Sequence, residues 1–287
     1  MADRPRFGPA GFPPDFAATK VSLSDVPKLL RKEGLDAFEY EAIYWGAKPQ
    51  IKKEHAEELG SKAKENDVLM SMHGSYFVNL CGEKGVVEAS KKRLIACATA
   101  AQWMGAYVLV LHCGYYGKRA RAETLRTCAE ILREIVENMR SLGIEDVKLG
   151  PEVSGKSSQF GDLDEILSIC ELVEQTQLVI DWAHLHARDR GRFITVEDFR
   201  KVVEKIEERL GTEAVRNMHC HFTKIEYTDK GERRHHTLGE EGYGPDFAML
   251  AKVINEFKLR PVMISESPLL DADAIKMREI LQREIAN

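Results

Sequence analysis

Imidazole and carboxylate side chains stand where the apolar runs of this chain end. His73 follows VLMSM, His112 follows YVLVL, Glu152 closes VKLGPE and Glu266 closes PVMISE. Asp181 and His184 are three apart in LVIDWAH, His219 and His221 two apart in MHCHF, and His235 and His236 follow in RRHHTLG. An ionisable group at the tip of a buried strand carries a desolvation cost and needs a partner. One such histidine reads as a hydrogen-bonded packing residue. A set drawn from six runs points to one shared partner, and a cluster of divalent cations fits best, because zinc and its neighbours bind neutral imidazole and carboxylate. The expected ligands are His73, His112, Glu152, Asp181, His184, His219, His235 and Glu266, with His221 the alternative to His219 and His236 the alternative to His235. Eight ligands exceed what one tetrahedral ion takes, so two or three Zn²⁺ ions are expected, or Mn²⁺ in their place. Glu152 and Glu266 are the expected catalytic pair, bridging the ions or positioning a nucleophile. Multi-metal sites of this kind stabilise the attacking and leaving oxygens of phosphoester cleavage. Three ions against three carboxylates would leave the pocket positive enough to draw an anionic substrate.

These tips need elements that bring them together. Short apolar runs near 6–10, 36–40, 67–72, 107–112, 147–151, 177–181, 217–222 and 261–265 alternate with charged, amphipathic segments of helical period, such as AETLRTCAEILREIVENMRSLG and TVEDFRKVVEKIEERLG. Strands alternating with helices imply parallel pairing through crossovers, and eight such units match a (β/α)₈ TIM barrel. A doubly wound sheet would string the tips along a line, whereas a barrel gathers them around the C-terminal mouth of its strands. No linker or composition shift divides residues 1–287, so a single barrel domain is expected.

The composition excludes some classes. A net charge of −5 gives no general pull toward nucleic acid or membrane, and no apolar run reaches the length of a membrane span. The first residues lack a signal-peptide core, and the six cysteines form no CxxC pair, so a cytoplasmic protein with reduced thiols is expected. Cys113 and Cys220 adjoin candidate ligands but face the other side of their strands. His55 reads as a solvated helix residue and His186 as a loop residue. The basic segments GKRAR (117–121) and KGERR (230–234) are taken as loops able to track a phosphate backbone. No oligomerisation signal stands out, so a monomer is expected.

In chain order, HGSYFVNL, LHCG, PEVSGKSSQFGDLDEI, IDWAH, MHCHFTK with RRHHTLGEEGYG, and PVMISE resemble the motifs of the endonuclease IV family of apurinic/apyrimidinic endonucleases. The resemblance covers most of the chain from His73 onward. It implies a (β/α)₈ fold, a trinuclear zinc site, and hydrolysis of DNA 5′ to abasic sites by a hydroxide bridging the metals. It also implies that Tyr76 and Asn79 face the substrate, and Lys118 and Arg119 are expected to help hold the flanking nucleotides. Two departures stand out. Arg233 occupies the place of the family's aspartate in DxHH, with Glu232 beside it, so either Glu232 substitutes after a shift of the loop or the third metal is weak or absent. The segment EYEAIYWGAKPQIKK lacks the family's asparagine/arginine wedge for the DNA minor groove. The alternative is a sugar isomerase or epimerase of the related xylose-isomerase-like barrels, with one ion on Glu152, Asp181, His219 and Glu266. A third reading is a barrel kept as a non-catalytic binding module.

Overall fold

The computed structural model describes residues 3–18 and 21–286. Among them, parallel strands alternate with helices in the predicted order: β1 (Arg6–Pro9), β2 (Ala37–Glu41), β3 (Leu69–His73), β4 (Val108–Leu111), β5 (Lys148–Pro151), β6 (Val179–Asp181) and β7 (His219–Phe222). A hairpin of β8 (Lys224–Thr228) and β9 (Gly231–His236) follows, and β10 (Val262–Ser265) is the last barrel strand. The parallel strands form two four-stranded sheets, β2-β3-β4-β5 and β1-β10-β7-β6. Backbone bonds from Asp36 N to Phe7 O (3.0 Å) and from Gly11 N to Glu39 O (2.9 Å) join the sheets along β1 and β2. Along β5 and β6 the link is made by Leu149 N to Gln175 O (2.9 Å) and Val153 N to Val179 O (3.3 Å). The strands therefore follow one another around the ring in chain order, as in a TIM barrel. At the first seam Gly8 is required: a Cβ there would lie 1.7 Å from the carbonyl oxygen of Ala37.

The helices form where apolar residues recur every three to four positions and cover the outside of the strands. The helix Arg121–Ser141 buries Cys128, Ile131, Leu132, Ile135, Val136 and Met139 on one face. Each large aliphatic side chain buried this way contributes about 1.5–3 kcal/mol. Inside the ring the apolar packing is divided, with Ala37, Val262 and Ile264 forming one small cluster and Val108, Val110 and Val179 another. Polar side chains share the rest of the lumen. The register sets His73 beside Glu41, and Asp181 beside His221 beside Ile264, so the strand tips end nearly level. Among the described residues no helix is long and apolar enough to cross a membrane. No cysteine is paired, and all but the half-buried Cys170 are buried. A cavity of about 470 Å³, lined partly by Leu69, Tyr107, Lys148 and Val262, opens among the strand starts, at the end away from the strand tips.

Candidate metal centre

Three groups of potential ligands overlap at the C-terminal mouth, and the ligating atoms of each lie within 4.8 Å of one another. The first is His73, His112 and Glu152, with His112 Nε2 3.2 Å and His73 Nε2 3.6 Å from Glu152 Oε2. The second is Glu152, Asp181, His221 and Glu266, where His221 Nδ1 lies 2.9 Å from Glu152 Oε1 and 3.1 Å from Glu266 Oε1. The third is His184, His235 and Glu266. His184 is set by local structure: Asp181 caps the short helix Trp182–Arg188, accepting the His184 amide at 2.8 Å. That helix also carries His186, which is buried against the Tyr227 ring rather than placed in a loop. His55 is exposed on the helix Lys53–Glu65, as its charged surroundings suggest.

Two paired choices are separated by the geometry. His219, expected at the metal, lies one layer lower in the lumen, bonded to Glu39 (Nε2–Oε2 3.0 Å) and Tyr107 (Nδ1–Oη 2.6 Å). His221 takes the place beside Glu152 and Glu266. The two are on one face of β7, and only the position along the strand decides which reaches the mouth. His235 joins His184 and Glu266, while His236 turns away to Glu240 (2.9 Å) and stacks on Tyr243 with ring centroids 3.6 Å apart.

The segment expected to be a flexible loop is the antiparallel hairpin β8–β9. Glu226 pairs with Arg234 and Tyr227 with Glu232, so Arg233 is an extra residue bulged out of the ladder. The bulge sends Arg233 outward to Glu226 (2.6 Å), with its side chain 66% exposed. It also brings residues three apart onto one face, so Glu232 and His235 point the same way. Glu232 Oε2 is 2.9 Å from His184 Nε2, on the inner side where Arg233 cannot serve.

The donor set suits cations. Glu152 Oε2, Asp181 Oδ2, Glu232 Oε2 and His112 Nδ1 are buried and make no well-aligned hydrogen bond, a state that buried polar atoms rarely tolerate without a further partner. Burial opposes ionisation of Glu152, yet the rings of His112 and His221 hold it well below the usual carboxylate range. Burial lifts Asp181 to about 6. Burial also works against a charged His73, but contact with Glu152 and the nearby Glu41 push it up to about 10. Burial holds His112 below its ordinary value. The sequence reading missed Glu39 and Glu41, which alternate on β2 and lie near His221 and His73. Burial raises Glu41 to about 7. With Glu232 they bring the carboxylates around the site to six, matching the charge of three divalent ions. The positive surplus expected from Glu152, Asp181 and Glu266 alone is therefore reduced.

The residues expected to hold substrate divide. Tyr76 is exposed at the mouth with its ring edge-on to His73, 5.4 Å between centroids, and Lys118 is exposed. Asn79 instead braces loops, its Oδ1 accepting the amides of Cys81 (3.1 Å) and Tyr115 (3.3 Å). Arg119 is tied to the carbonyl oxygens of Cys81 and Gly82. The basic segments lose further charge to Arg121, which pairs with Asp162 and Glu165 as it begins a helix. Where the minor-groove wedge is lacking, the loop after β2 presents Tyr44, 71% exposed, beside Phe77 with ring centroids 6.3 Å apart. Neither aromatic was singled out in the sequence.

Sequence comparison places the chain among known proteins. The profile of the Xylose isomerase-like TIM barrel family matches residues 27–283. An uncharacterized protein of Methanocaldococcus jannaschii is 35% identical over 273 residues, 94% of each chain. A probable endonuclease 4 of Acholeplasma laidlawii is 27% identical over 261 residues, 83% of this chain and 84% of its own. Among solved structures, endonuclease IV of Thermus thermophilus superposes with a TM-score of 0.68 at 18% identity, covering 91% of this chain and 95% of that one. A D-tagatose 3-epimerase-like protein superposes at 0.66 and 19% identity, covering 90% and 91%. At such identities these two likenesses speak for the fold alone. By the profile match across nearly its whole length, the chain belongs to the xylose isomerase-like TIM barrel family.

Proposed function

We propose that this protein is a metal-dependent phosphodiesterase acting on nucleic acid, with DNA containing abasic sites as its first candidate substrate. The observation that carries the reading is the number and overlap of ligand groups at the mouth, in which Glu152 and Glu266 each belong to two. A single-ion enzyme has no use for so many. The relatives named as probable endonuclease 4, similar over most of the chain, support the same reading. His73, His112 and Glu152 would hold one ion, Glu152, Asp181, His221 and Glu266 a second, and His184, Glu232 and His235 a third, with zinc favoured and manganese an alternative. Bound ions would supply Lewis-acid polarisation of a phosphoryl oxygen and a nucleophilic water at neutral pH. Glu152 and Glu266 orient what lies between the groups. Glu41 has one oxygen without a hydrogen bond and, with its carboxyl raised to about 7, can take up or release a proton beside the site. Tyr44, Tyr76 and Phe77 offer faces on which unpaired bases stack, a contact that tolerates any sequence. Extrusion of a nucleotide costs least where a base is missing.

The test is nicking of a duplex with one abasic site by protein reconstituted with zinc or manganese. The expected product is a single break 5′ to the lesion, suppressed by chelator. A second reading, a sugar epimerase, draws on the tetrad Glu152, Asp181, His221 and Glu266, which is complete for one ion without the other histidines. Intact abasic DNA together with metal-dependent epimerisation of a ketose would replace the first reading with the second.

A further inference from the structure

Beneath the ligands a column of polar side chains runs through the barrel lumen, between its two small apolar clusters. Its centre is Glu39, fully buried. Ser71 Oγ donates to Glu39 Oε2 at 2.8 Å, and His219 Nε2 lies 3.0 Å from the same oxygen. His221 Nε2 lies 2.9 Å from Glu39 Oε1. At the foot, Tyr107 Oη is 2.6 Å from His219 Nδ1 and lines the cavity at the opposite mouth. A buried glutamate left unprotonated among these groups has a cost that packing alone does not explain.

The hydrogen positions follow from the chain of partners. A carboxylate only accepts, so Ser71 and His219 present hydrogens to Glu39 Oε2, while His221 Nε2 faces Oε1 as a close ion-pair contact rather than a well-aligned hydrogen bond. With a hydrogen on Nε2, His219 accepts through Nδ1 and Tyr107 donates to it. With a hydrogen on Nε2 facing Glu39, the other ring nitrogen of His221, Nδ1, faces Glu152 and Glu266 at 2.9 and 3.1 Å and donates to Glu152 while no ion is bound. A cation bound among these groups would displace the Nδ1 proton and leave the proton on Nε2 in place.

We infer that Glu39, with His219 and Tyr107 below it, is a positioning column that fixes His221 as an Nδ1 ligand of the ion shared with Glu152, Asp181 and Glu266. This rests on the metal reading of the site. Hydrogen bonds that orient a ligating histidine through its second nitrogen commonly change metal affinity about 10–100-fold when removed. The same three side chains, Glu39, His219 and His221, are also close enough to surround a cation themselves. The complementary donors Tyr107 and Ser71 make the hydrogen-bonded column the better account, and the two are experimentally distinct.

The experiment uses the full chain labelled with ¹⁵N at histidine, titrated with zinc and read by long-range proton–nitrogen correlation, with affinity measured by chelator competition. Zinc is expected to shift His221 Nδ1 while Nε2 keeps its proton. Glu39→Gln is expected to weaken one ion about 10–100-fold and leave the others in place. Tyr107→Phe, remote from every ligand, is expected to weaken the same ion less, and it stands in if Glu39→Gln does not fold. A general loss of packing would instead release all ions together. If no ring nitrogen responds to zinc, the metal reading fails. The column is then still decided by whether the His221 Nε2 proton is present in the wild type and exchanges faster in either variant. Zinc-shifted signals on His219, a bare His221 Nε2, or wild-type affinity in both variants would overturn the inference.

Discussion

The candidate ligands on the strand tips and those on the β8–β9 hairpin reach one cluster by different means. His73, Glu152, Asp181 and Glu266 end or directly follow strands whose register is locked by parallel ladders, and His221 lies within one. Their places are set by the barrel. Glu232 and His235 come from an added hairpin, and they share a face only because Arg233 is bulged out between them. The hairpin is held to the loop after β5 by Glu232 N to Gly155 O (3.3 Å) and by Lys156 Nζ to Glu232 Oε1 (3.5 Å). A tip ligand is thus part of the fold, whereas a hairpin ligand can be altered with the barrel intact.

The largest effect is expected at Glu152, which serves two ligand groups. Glu152→Gln should lower cleavage at least ~10³-fold, as losing one member of a unit that acts together does. It should also remove two ions per chain, counted by plasma mass spectrometry. A variant retaining all its metal would mean that Glu152 is not shared. Glu232→Gln should lose only one ion and about 10–100-fold in activity, with the ions on the strand tips still bound. Gly231→Ala should mimic it from a distance. At φ 102° the added Cβ would lie 2.3 Å from the Gly155 carbonyl, a strain of about 1–3 kcal/mol that lifts the hairpin off its support. Equal damage to all ions from either change would erase the contrast between tips and hairpin.

A smaller effect concerns protons. Before ions bind, His73 is held at about 10, and His184 and His221 are also raised, because surrounding carboxylates outweigh the effect of burial. At neutral pH these rings carry protons that ligation must displace. Zinc loading should therefore acidify a weakly buffered solution, and apparent affinity should rise as pH increases toward 9. Calorimetry in buffers of different ionisation enthalpy reads this directly, and loading without proton release would remove these histidines from the ligand set.

What could be read beforehand follows the same division. The strand tips were legible because an ionisable residue ending an apolar run is unusual, and the run fixes its place. Glu39 and Glu41 were legible in principle, since DAFEYE alternates, but a lone glutamate pair looks like an ordinary solvent-facing side until the strand is known to line a lumen. MHCHF could not be resolved, because His219 and His221 share a face and differ only in depth. The choice of Glu232 over Arg233 was beyond local pattern. It depends on a bulge stabilised by Gly155, more than 70 residues earlier.

One consequence lies in the seam between β5 and β6, where few backbone bonds join the two sheets. Glu152 belongs to one sheet, while Asp181, His221 and Glu266 belong to the other. An ion gripped by all four would be a rivet across the joint, so the barrel's mechanical integrity would track the metal supply. At free metal a thousand times Kd, one ion adds about 4 kcal/mol to the folded state. Withdrawing it should loosen the wall at this joint first, with amide exchange rising at Val153 and Leu149 before the ladders within either sheet respond.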